Sequence, residues 1–502
     1  MSYSTPTAII VALGAFLLYR FLLYPLVVSP LRHIPAANFI SRFSPFWILY
    51  HRRNGRQAVS PITHAHTKNG TVILVSPTEV SVSSLEGVKK VYVEKGGFGK
   101  PKWWAELFLT YGDEFRNMSS MIGGIGDKHH RTRKADIGNV YSKTYLLGSA
   151  EVKMVAERIV QTRLFPALEE AVREREGILE VYDFNGAMNA DLGSGLIFGE
   201  DGGTHFMKDI SSRDGYFTNH ATWLKDRPGA QEAKHWMEKF GLERSAAAER
   251  QVLDDEEKRG RGEERGKLYP VVYAQLRSRG LKGKQLASET LDHFLAGAEG
   301  PRTTVTYVQW MLSKRLDIQA RLRKELSAVS FQPSSNTSLS NSIPEFKTLD
   351  ALPLLDAIIT ETLRIYPPTP GPMFRITPPG GTTIDGYFIP GNVQISTWVS
   401  VLHHNPDVFP RADEWEPDRW MSKSEKDDTR VNEMRRWMFP FGGGSRMCVG
   451  KEFALLTMKL TLAAMYSRYE TSIVEDDGME QEDLFLAGPV GEKLVLKFQP
   501  LK

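Results

Sequence analysis

The segment FGGGSRMCVG at residues 441–450 contains Cys448, the only cysteine in this chain of 502 residues. Consecutive glycines can adopt positive φ and let the backbone pass close to a flat ligand without a side chain in between. Arg446, two residues before the cysteine, can pair with an anionic group on such a ligand. The amphipathic run KEFALLTMKLTLAAMYSRY after Gly450 predicts a helix. Unsatisfied N–H groups and the dipole at the start of that helix would favour the thiolate form of Cys448.

The composition of the chain limits other interpretations of this cysteine. A lone cysteine is commonly a small buried hydrophobic residue, and it cannot form an intrachain disulfide, which suits a reducing compartment. The chain has 63 Lys and Arg residues against 60 Asp and Glu residues, and this balance argues against nucleic acid as a partner. With 41% hydrophobic and 25% charged residues, the composition is that of a globular protein and excludes collagen and disorder.

At every fixed position the segment satisfies the pattern Phe-x-x-Gly-x-Arg-x-Cys-x-Gly, and on this evidence the chain resembles the cytochrome P-450 superfamily. The resemblance implies that Cys448 is the thiolate ligand of a haem iron (protoporphyrin IX), that Phe441 belongs to the cofactor site and that Arg446 binds a haem propionate. Electron donation from the thiolate favours O–O cleavage in this class. The implied activity is that of a monooxygenase.

Two shorter motifs fall in the order expected of the family. Glu361 and Arg364 in LPLLDAIITETLRIYPP are spaced i, i+3, so they can pair on one helix face. On spacing alone this would be a surface ion pair of little energetic value. The resemblance implies instead that the pair joins an arginine from a Pro-x-Arg-Trp-like segment and braces the haem side. The segment EPDRW supplies that arginine as Arg419.

Three more basic residues are candidates for binding the haem propionates. The resemblance matches His130 and Lys134, in DKHHRTRKADIGNVYSK, to a helix whose aromatic or histidine and basic residues bind propionates. Arg375, after the double proline, is the third candidate. A basic helical face is usually only solvated. Together with Arg446 and Lys451, the same helix could offer a positive surface to an electron donor.

The family pattern for the long helix over the haem is only partly present. That pattern is Ala/Gly-Gly-x-Asp/Glu-Thr, and LDHFLAGAEGPRTT matches it with Ala296, Gly297, Ala298 and Glu299, followed by Gly300 where threonine is expected. The hydroxyl that usually delivers protons is therefore missing. We expect Glu299 to relay protons, helped by the hydroxyl of Thr304, one helical turn after Gly300, or by a hydroxyl of the substrate.

The resemblance also implies which segments surround the substrate, namely the loop at residues 98–125, the helix over the haem, residues 372–374 and a C-terminal hairpin. The side chains predicted to bind the substrate are Phe98, Trp104, Met373, Phe374 and Leu486, with Trp103 and Phe108 as further aromatic residues of an apolar lid. Aromatic residues are more often ordinary core residues. Combined with a membrane anchor, they favour an apolar small molecule that partitions into the bilayer.

Residues 8–28, AIIVALGAFLLYRFLLYPLVV, are long and apolar enough to cross a bilayer as one helix. Arginines follow this run, so the positive-inside rule places the main domain in the cytoplasm. We therefore predict a transmembrane anchor at residues 1–28, a proline-rich tether at residues 29–40 and a haem-thiolate catalytic domain at residues 41–502. The predicted location is the endoplasmic reticulum membrane, with a single pass; a helix lying in the interface is the fallback. On the cytoplasmic side three sequons would stay unused: Asn69, Asn117 and Asn336.

Beyond the tether, the chain predicts one α+β domain that is predominantly α-helical, with small peripheral sheets. β-Branched residues at 71–82 and strand signals at 383–397 and 494–498 predict strands. Most segments between residues 142 and 316 have helical spacing. The resemblance implies the cytochrome P-450 fold.

The leading functional prediction is a monooxygenase that hydroxylates, epoxidises or similarly oxidises an apolar small molecule. It would use O2 and electrons from an NADPH–cytochrome P-450 reductase. The segments HTKNGTVILVSP and NVYSKTYL resemble filamentous-fungal members, many of which modify secondary metabolites. Three alternatives stay open. The first is a haem-thiolate isomerase or dehydratase that needs no reductase, and Gly300 favours it. The second is a non-catalytic haem- or ligand-binding membrane protein. The third is an enzyme with a cysteine nucleophile.

Overall fold

Helices form most of the described part of the computed structural model, which comprises residues 5–107, 114–115, 127–263, 267–329, 331, 342–422 and 424–501. The α-helices of these residues are α1 (Thr5–Leu18), α2 (Phe46–His51), α3 (Val59–Asn69), α4 (Leu85–Tyr92), α5 (Lys102–Leu107), α6 (Asp127–Ile137), α7 (Lys143–Gly148), α8 (Ala150–Ile159), α9 (Phe165–Glu174), α10 (Val181–Gly202), α11 (Ile210–Leu224), α12 (Ala230–Gly260), α13 (Val271–Ser278), α14 (Gly283–Lys314), α15 (Leu316–Leu326), α16 (Phe346–Asp350), α17 (Pro353–Ile365), α18 (Val399–His403), α19 (Glu425–Trp437) and α20 (Lys451–Tyr466). The predicted class, α+β and predominantly helical, is confirmed.

The strands form small sheets beside the helices. They are β1 (Val72–Ser76), β2 (Glu79–Val82), β3 (Ile178–Glu180), β4 (Arg375–Ile376), β5 (Thr382–Ile384), β6 (Tyr387–Ile389), β7 (Gln394–Ser396), β8 (Tyr469–Glu475) and β9 (Val495–Pro500). The orders are β1-β2-β7-β4, β3-β9-β8 and β5-β6. β1 and β2 are the hairpin predicted at residues 71–82, with Val72 opposite Val82. β2 runs parallel to β7, and β7 pairs with β4, which brings Arg375 to this sheet.

The helix α14 passes through the largest hydrophobic core. It has 32 residues, and it packs against α10, α12, α17, α20 and β8. Pro301 lies inside α14, and the helix continues through it to Lys314. Because α20 begins directly after the segment that contains Cys448, its packing on α14 brings that segment and α14 to the same region of the protein.

The N-terminal helix stands apart from this core. α1 continues into a π-helix at Tyr19–Val28, and the stretch Thr7–Val28 is long and apolar enough to span a membrane. Its large apolar side chains are exposed. Residues 31–37 then pack onto the four-stranded sheet, where Ala37 N donates a hydrogen bond to Leu74 O at 2.9 Å. Much of the segment predicted as a tether is therefore packed against the domain.

Candidate haem-thiolate site

The loop between α19 and α20 presents Cys448, and backbone contacts fix its path. The Cys448 N–H donates to the carbonyl of Phe441 at 2.9 Å and closes the segment into a turn. Gly442 and Gly444 have φ of 68° and 64°. A Cβ on Gly444 would collide with the carbonyl oxygen of Tyr92 in α4. Side chains at these two positions would therefore strain the loop, which agrees with the predicted use of the glycines.

Exposed residues within otherwise buried elements indicate an internal cavity beside this loop. Along α14, Ala296 is exposed and Gly297 and Gly300 are half-buried, although most residues around them are buried. A Cβ on either glycine would meet no atom within 4 Å. Cys448 is also exposed, although its sulfur lies deep within the protein. Open space beside the small residues of α14 and beside the Cys448 loop suits a flat cofactor.

The surroundings of the Cys448 thiol change its pKa in opposite directions. Burial raises the pKa and is the largest effect. The N–H groups of Gly450 and Lys451, at the start of α20, lower it, and so does the charge of Lys134. The start of the helix thus acts as predicted, but the net pKa lies above the ordinary value because desolvation outweighs these contacts. A metal cation at the sulfur would stabilise the thiolate.

Three cations interact beside the loop: Lys100, Arg375 and Arg446. Lys100 was not predicted from the sequence. Burial, followed by the positive charges of Arg375 and Arg446, lowers the pKa of Lys100 to about 7. Arg375 is buried, and its guanidinium carbon lies 4.8 Å from the ring centroid of Tyr92. Neighbouring like charges repel one another, so this cluster suits an anionic ligand such as the two haem propionates. Lys100 lies in GFGKPKWW, a segment that has no recognisable motif.

Lys134 and His130 lie one turn apart on α6, and both are half-buried. The Nζ atom of Lys134 donates to the carbonyl oxygens of Ser445 and Met447, at 2.9 and 2.7 Å. Lys134 therefore binds the backbone of the Cys448 loop. The contact of His130 and Lys134 with haem propionates stays a prediction.

Glu361, Arg364 and Arg419 form a buried ionic brace. Arg364 donates two parallel hydrogen bonds to the Glu361 carboxylate, both at 2.9 Å, and Arg419 Nε donates to the same carboxylate at 2.9 Å. Trp420 Nε1 and the N–H of Glu416 add hydrogen bonds at 2.8 and 2.9 Å. The predicted association of the two motifs is therefore seen in the structure. Glu361 and Arg364 are wholly buried, unlike the surface pair that spacing alone would allow.

His403 of α18 connects this brace to the Cys448 loop, and it was not singled out from the sequence. Arg364 Nη1 donates to His403 O at 2.9 Å. His403 Nδ1 lies 3.1 Å from Arg364 O, and Nε2 accepts a hydrogen bond from Phe439 N–H at 2.8 Å. Burial lowers the pKa of His403 to about 3, so the ring is neutral, as the acceptor role of Nε2 requires. The only sequence signal is one histidine at the end of the apolar run WVSVLH.

On α14, Glu299 lies in a buried ionic cluster. Its Oε1 is 3.1 Å from His220 Nδ1 of α11, and its Oε2 is 3.5 Å from Arg302 Nη1. Arg302 also binds Asp183 of α10. Burial raises the pKa of Glu299, but the positive charges of His220 and Arg302 outweigh burial and lower the value to about 2. Glu299 is therefore held as a carboxylate, which can accept protons but holds none at neutral pH.

Thr304, the predicted substitute for the missing hydroxyl, is buried. Its Oγ1 donates to the carbonyl of Gly300 at 3.2 Å, so the hydroxyl proton is bound to the backbone of its own helix. The roles of Thr304 and Glu299 in proton delivery stay predictions.

Aromatic residues predicted for the substrate lid do contact each other. The ring of buried Phe374 lies 5.1 Å from the ring of Trp103 and 5.7 Å from that of Trp104. Phe485, which was not predicted, lies 5.5 Å from Trp104. It precedes Leu486, which is half-buried.

The other residues predicted to surround the substrate lie elsewhere or outside the described part of the chain. Phe98 and Met373 pack against the core of the four-stranded sheet. Met373 also approaches the Cys448 loop, since a Cβ on Gly442 would lie 3.6 Å from its Cε. Phe108 and most of the loop at residues 108–125 lie outside the described residues.

Comparisons with known proteins agree with this site. The family model described as Cytochrome P-450 matches residues 45–496. The chain is 26% identical to the cytochrome P-450 monooxygenase orf2 of Aspergillus niger, over 95% of each protein. It is 24% identical to the monooxygenase tazI of Aspergillus terreus, over 98% of each. It is 25% identical to the monooxygenase azaI of Aspergillus niger, over 85% of the chain and 94% of that relative.

Proposed function

The chain belongs to the cytochrome P-450 family, and from this premise we propose that it oxidises an apolar small molecule with O2 and electrons from an NADPH–cytochrome P-450 reductase. It is a monooxygenase, and its cofactor is haem with a cysteine thiolate ligand. The substrate we propose is an intermediate of fungal secondary metabolism, because the similar proteins are monooxygenases of Aspergillus species. The observation that carries the proposal is the open space beside the small residues of α14 and the accessible Cys448 within otherwise buried elements.

We propose that Cys448 holds the haem iron and that Lys100, Arg375 and Arg446 hold the propionates. Bound haem supplies the activation of O2, to which the thiolate contributes electron density. The brace of Glu361, Arg364 and Arg419 would fix the start of the loop, since His403 connects it to Phe439 N–H. Phe441 would close the loop, because its carbonyl accepts the Cys448 N–H.

We propose that proton delivery on the α14 side starts from the cluster around Glu299. His220 and Arg302 keep Glu299 ionised, so Glu299 would accept a proton only transiently before it passes the proton on. At position 300 the family pattern has a threonine, and this chain has an open space beside glycine. Water in that space, a hydroxyl of the substrate or the hydroxyl of Thr304 would complete the route. Ala296 and Gly297 would leave room for O2 and substrate, because they carry little or no side chain.

The substrate would be bound by apolar and aromatic side chains, which we propose to be Phe98, Trp104, Met373, Phe374 and Leu486. The exposed apolar stretch Thr7–Val28 supports a membrane anchor, which would keep the enzyme beside substrates that dissolve in the bilayer. We propose residues 1–28 as this anchor, residues 29–40 as a tether that packs in part against the domain, and residues 41–502 as a cytoplasmic catalytic domain at the endoplasmic reticulum.

The carbon monoxide difference spectrum of the reduced, full-length protein tests the haem-thiolate site. The expected result is the long-wavelength Soret band of a thiolate-ligated haem, and Cys448→Ser should lack it. Turnover with candidate apolar substrates, NADPH and reductase then tests the reaction. Product that contains oxygen from labelled O2 supports the proposal, whereas product formed without NADPH and O2 contradicts it.

A second candidate is an isomerase or dehydratase that acts without a reductase. Gly300 favours it, because a reaction that needs no proton delivery to O2 does not need the missing threonine hydroxyl. Product formation in the absence of NADPH and O2, by a protein with the thiolate-ligated Soret band, would select this second candidate.

A further inference from the structure

Lys134 of α6 holds the loop that presents Cys448. Its Nζ atom donates to the carbonyl oxygens of Ser445, at 2.9 Å, and Met447, at 2.7 Å. These carbonyls belong to the peptide units that precede Arg446 and Cys448. One ammonium group therefore fixes two peptide planes immediately before the cysteine.

The Met447 carbonyl belongs to the same peptide unit as the Cys448 N–H. That N–H donates to Phe441 O at 2.9 Å, which closes the turn. An ammonium bound to the carbonyl polarises the peptide unit and strengthens the hydrogen bond made by its N–H. Lys134 thus stabilises the turn that sets the position of the sulfur.

The charge of Lys134 lies directly beside the peptide unit of Cys448, because its Nζ atom binds the Met447 carbonyl at 2.7 Å. Among the described residues, no carboxylate forms an ion pair with Lys134. Its charge is therefore directed at the backbone carbonyls of Ser445 and Met447, just before Cys448, rather than neutralised by an acidic side chain.

We propose that Lys134 is a positioning residue that draws electron density from the Cys448 thiolate and raises the reduction potential of the haem iron. Residues that form hydrogen bonds around a metal ligand orient that ligand and tune the metal. Charge and hydrogen bonds near a metal centre shift its reduction potential. The higher potential would ease the transfer of the first electron from the reductase. This inference rests on the proposed function, because it requires Cys448 to ligate the iron.

Two substitutions separate the charge of Lys134 from its size. Lys134→Met keeps the length of the side chain and removes the charge, and Lys134→Arg keeps the charge. Spectroelectrochemical titration of the full-length haem protein without reductase should show a more negative potential for Lys134→Met and a value close to the parent protein for Lys134→Arg. The ferrous carbonyl complex of Lys134→Met should also lose its thiolate-ligated Soret band several times faster, because the loop is held less firmly.

The matched control is Arg131→Met, which removes a cation from an exposed position on the same helix. An unchanged potential in Lys134→Met, or an equal shift in Arg131→Met, would overturn the proposal. If Lys134→Met does not fold, Lys134→Gln removes the same charge and is measured in its place. The carbon monoxide difference spectrum of the parent protein is recorded first. If the parent protein lacks the thiolate-ligated Soret band, the proposed function is wrong. If the band is present but Lys134→Met has an unchanged reduction potential, only the role of Lys134 is wrong.

Discussion

The Nδ1 atom of His220 lies 3.1 Å from Oε1 of Glu299, and both side chains are buried. This contact joins α11 to α14 one residue before Gly300, where the family pattern has threonine. Glu299 has a pKa lowered to about 2, so at neutral pH it holds no proton to deliver. Its other partner, Arg302, stays protonated because guanidinium does not release its proton in proteins. The imidazole of His220 can both donate and accept a hydrogen bond, whereas guanidinium can only donate, so His220 is the partner of Glu299 that can pass a proton on.

Replacing His220 with Phe should lower the product formed per NADPH several-fold, because the proton source beside Glu299 is removed. Arg302 would still hold the Glu299 carboxylate, so the protein should fold and give a normal carbon monoxide difference spectrum. Tyr216→Phe is the control, since Tyr216 stacks on His220 with its ring 5.8 Å away and loses only a hydroxyl. A ratio in His220→Phe equal to that of the parent enzyme would exclude His220 from proton delivery.

Threonine at position 300 should raise the product formed per NADPH. A Cβ there would meet no atom of the neighbouring elements within 4 Å, so these elements leave room for a side chain, and threonine would supply the hydroxyl that the family pattern has. Glycine in a helix interior is destabilising by about 0.5–1 kcal/mol relative to alanine. Gly300→Ala is therefore the matched control, because it also replaces glycine but adds no hydroxyl. If the Thr and Ala variants couple equally well, the hydroxyl at this position has no role in this enzyme.

The residues that could be predicted from the sequence are those fixed by local spacing. Cys448 and Arg446 lie in one short segment, and the consecutive glycines of that segment indicate a backbone with positive φ that passes close to a ligand. Glu361 and Arg364 are one helical turn apart, so their pairing follows from the helix itself. Their complete burial does not, since it depends on α17 packing against the 3₁₀-helix at Pro417–Trp420, which contains Arg419.

The residues that were missed meet only through tertiary packing. His220 contacts Glu299 because α11 lies near α14. Lys100 lies near Arg375 because Gly99 bridges to Ile376 of β4, at the edge of the four-stranded sheet. His403 is similar, since its contacts come from α17 and from the residues before the Cys448 loop. The partners named here do not lie at helical or strand spacing from these residues, so periodicity gives no signal for these contacts.

Glu361→Gln should destabilise the protein by about 3–5 kcal/mol, because it leaves two buried guanidinium groups without their carboxylate. Urea unfolding followed by circular dichroism measures this loss, and haem should be released at lower urea concentration. The control is Glu433→Gln, which breaks the exposed pair with Arg436 and should cost about 0–1 kcal/mol. A similar small loss for both variants would show that the brace has little effect on stability.

Lys100 should make the stability of the haem-free protein depend on pH. Burial, followed by the charges of Arg375 and Arg446, lowers its pKa from the ordinary 10.5 to about 7. Between these values the unfolded chain binds a proton that the folded chain does not, so the free energy of unfolding contributed by Lys100 rises with pH across this window. Below about pH 7 both states are protonated, and the destabilisation is complete and constant.

Lys100→Met should therefore be more stable than the parent protein near pH 7 when haem is absent, and its free energy of unfolding should rise less between pH 7 and 10.5. Urea unfolding of the haem-free proteins at several pH values measures both effects. Lys102→Met is the control, because Lys102 is exposed and lies two residues away. With haem bound the order should reverse near pH 7, since the propionates would pair with the Lys100 ammonium and the Met variant lacks that pair. Equal pH slopes for Lys100→Met and the parent protein would assign the dependence to other groups, and an unchanged haem affinity would remove Lys100 from the propionate site.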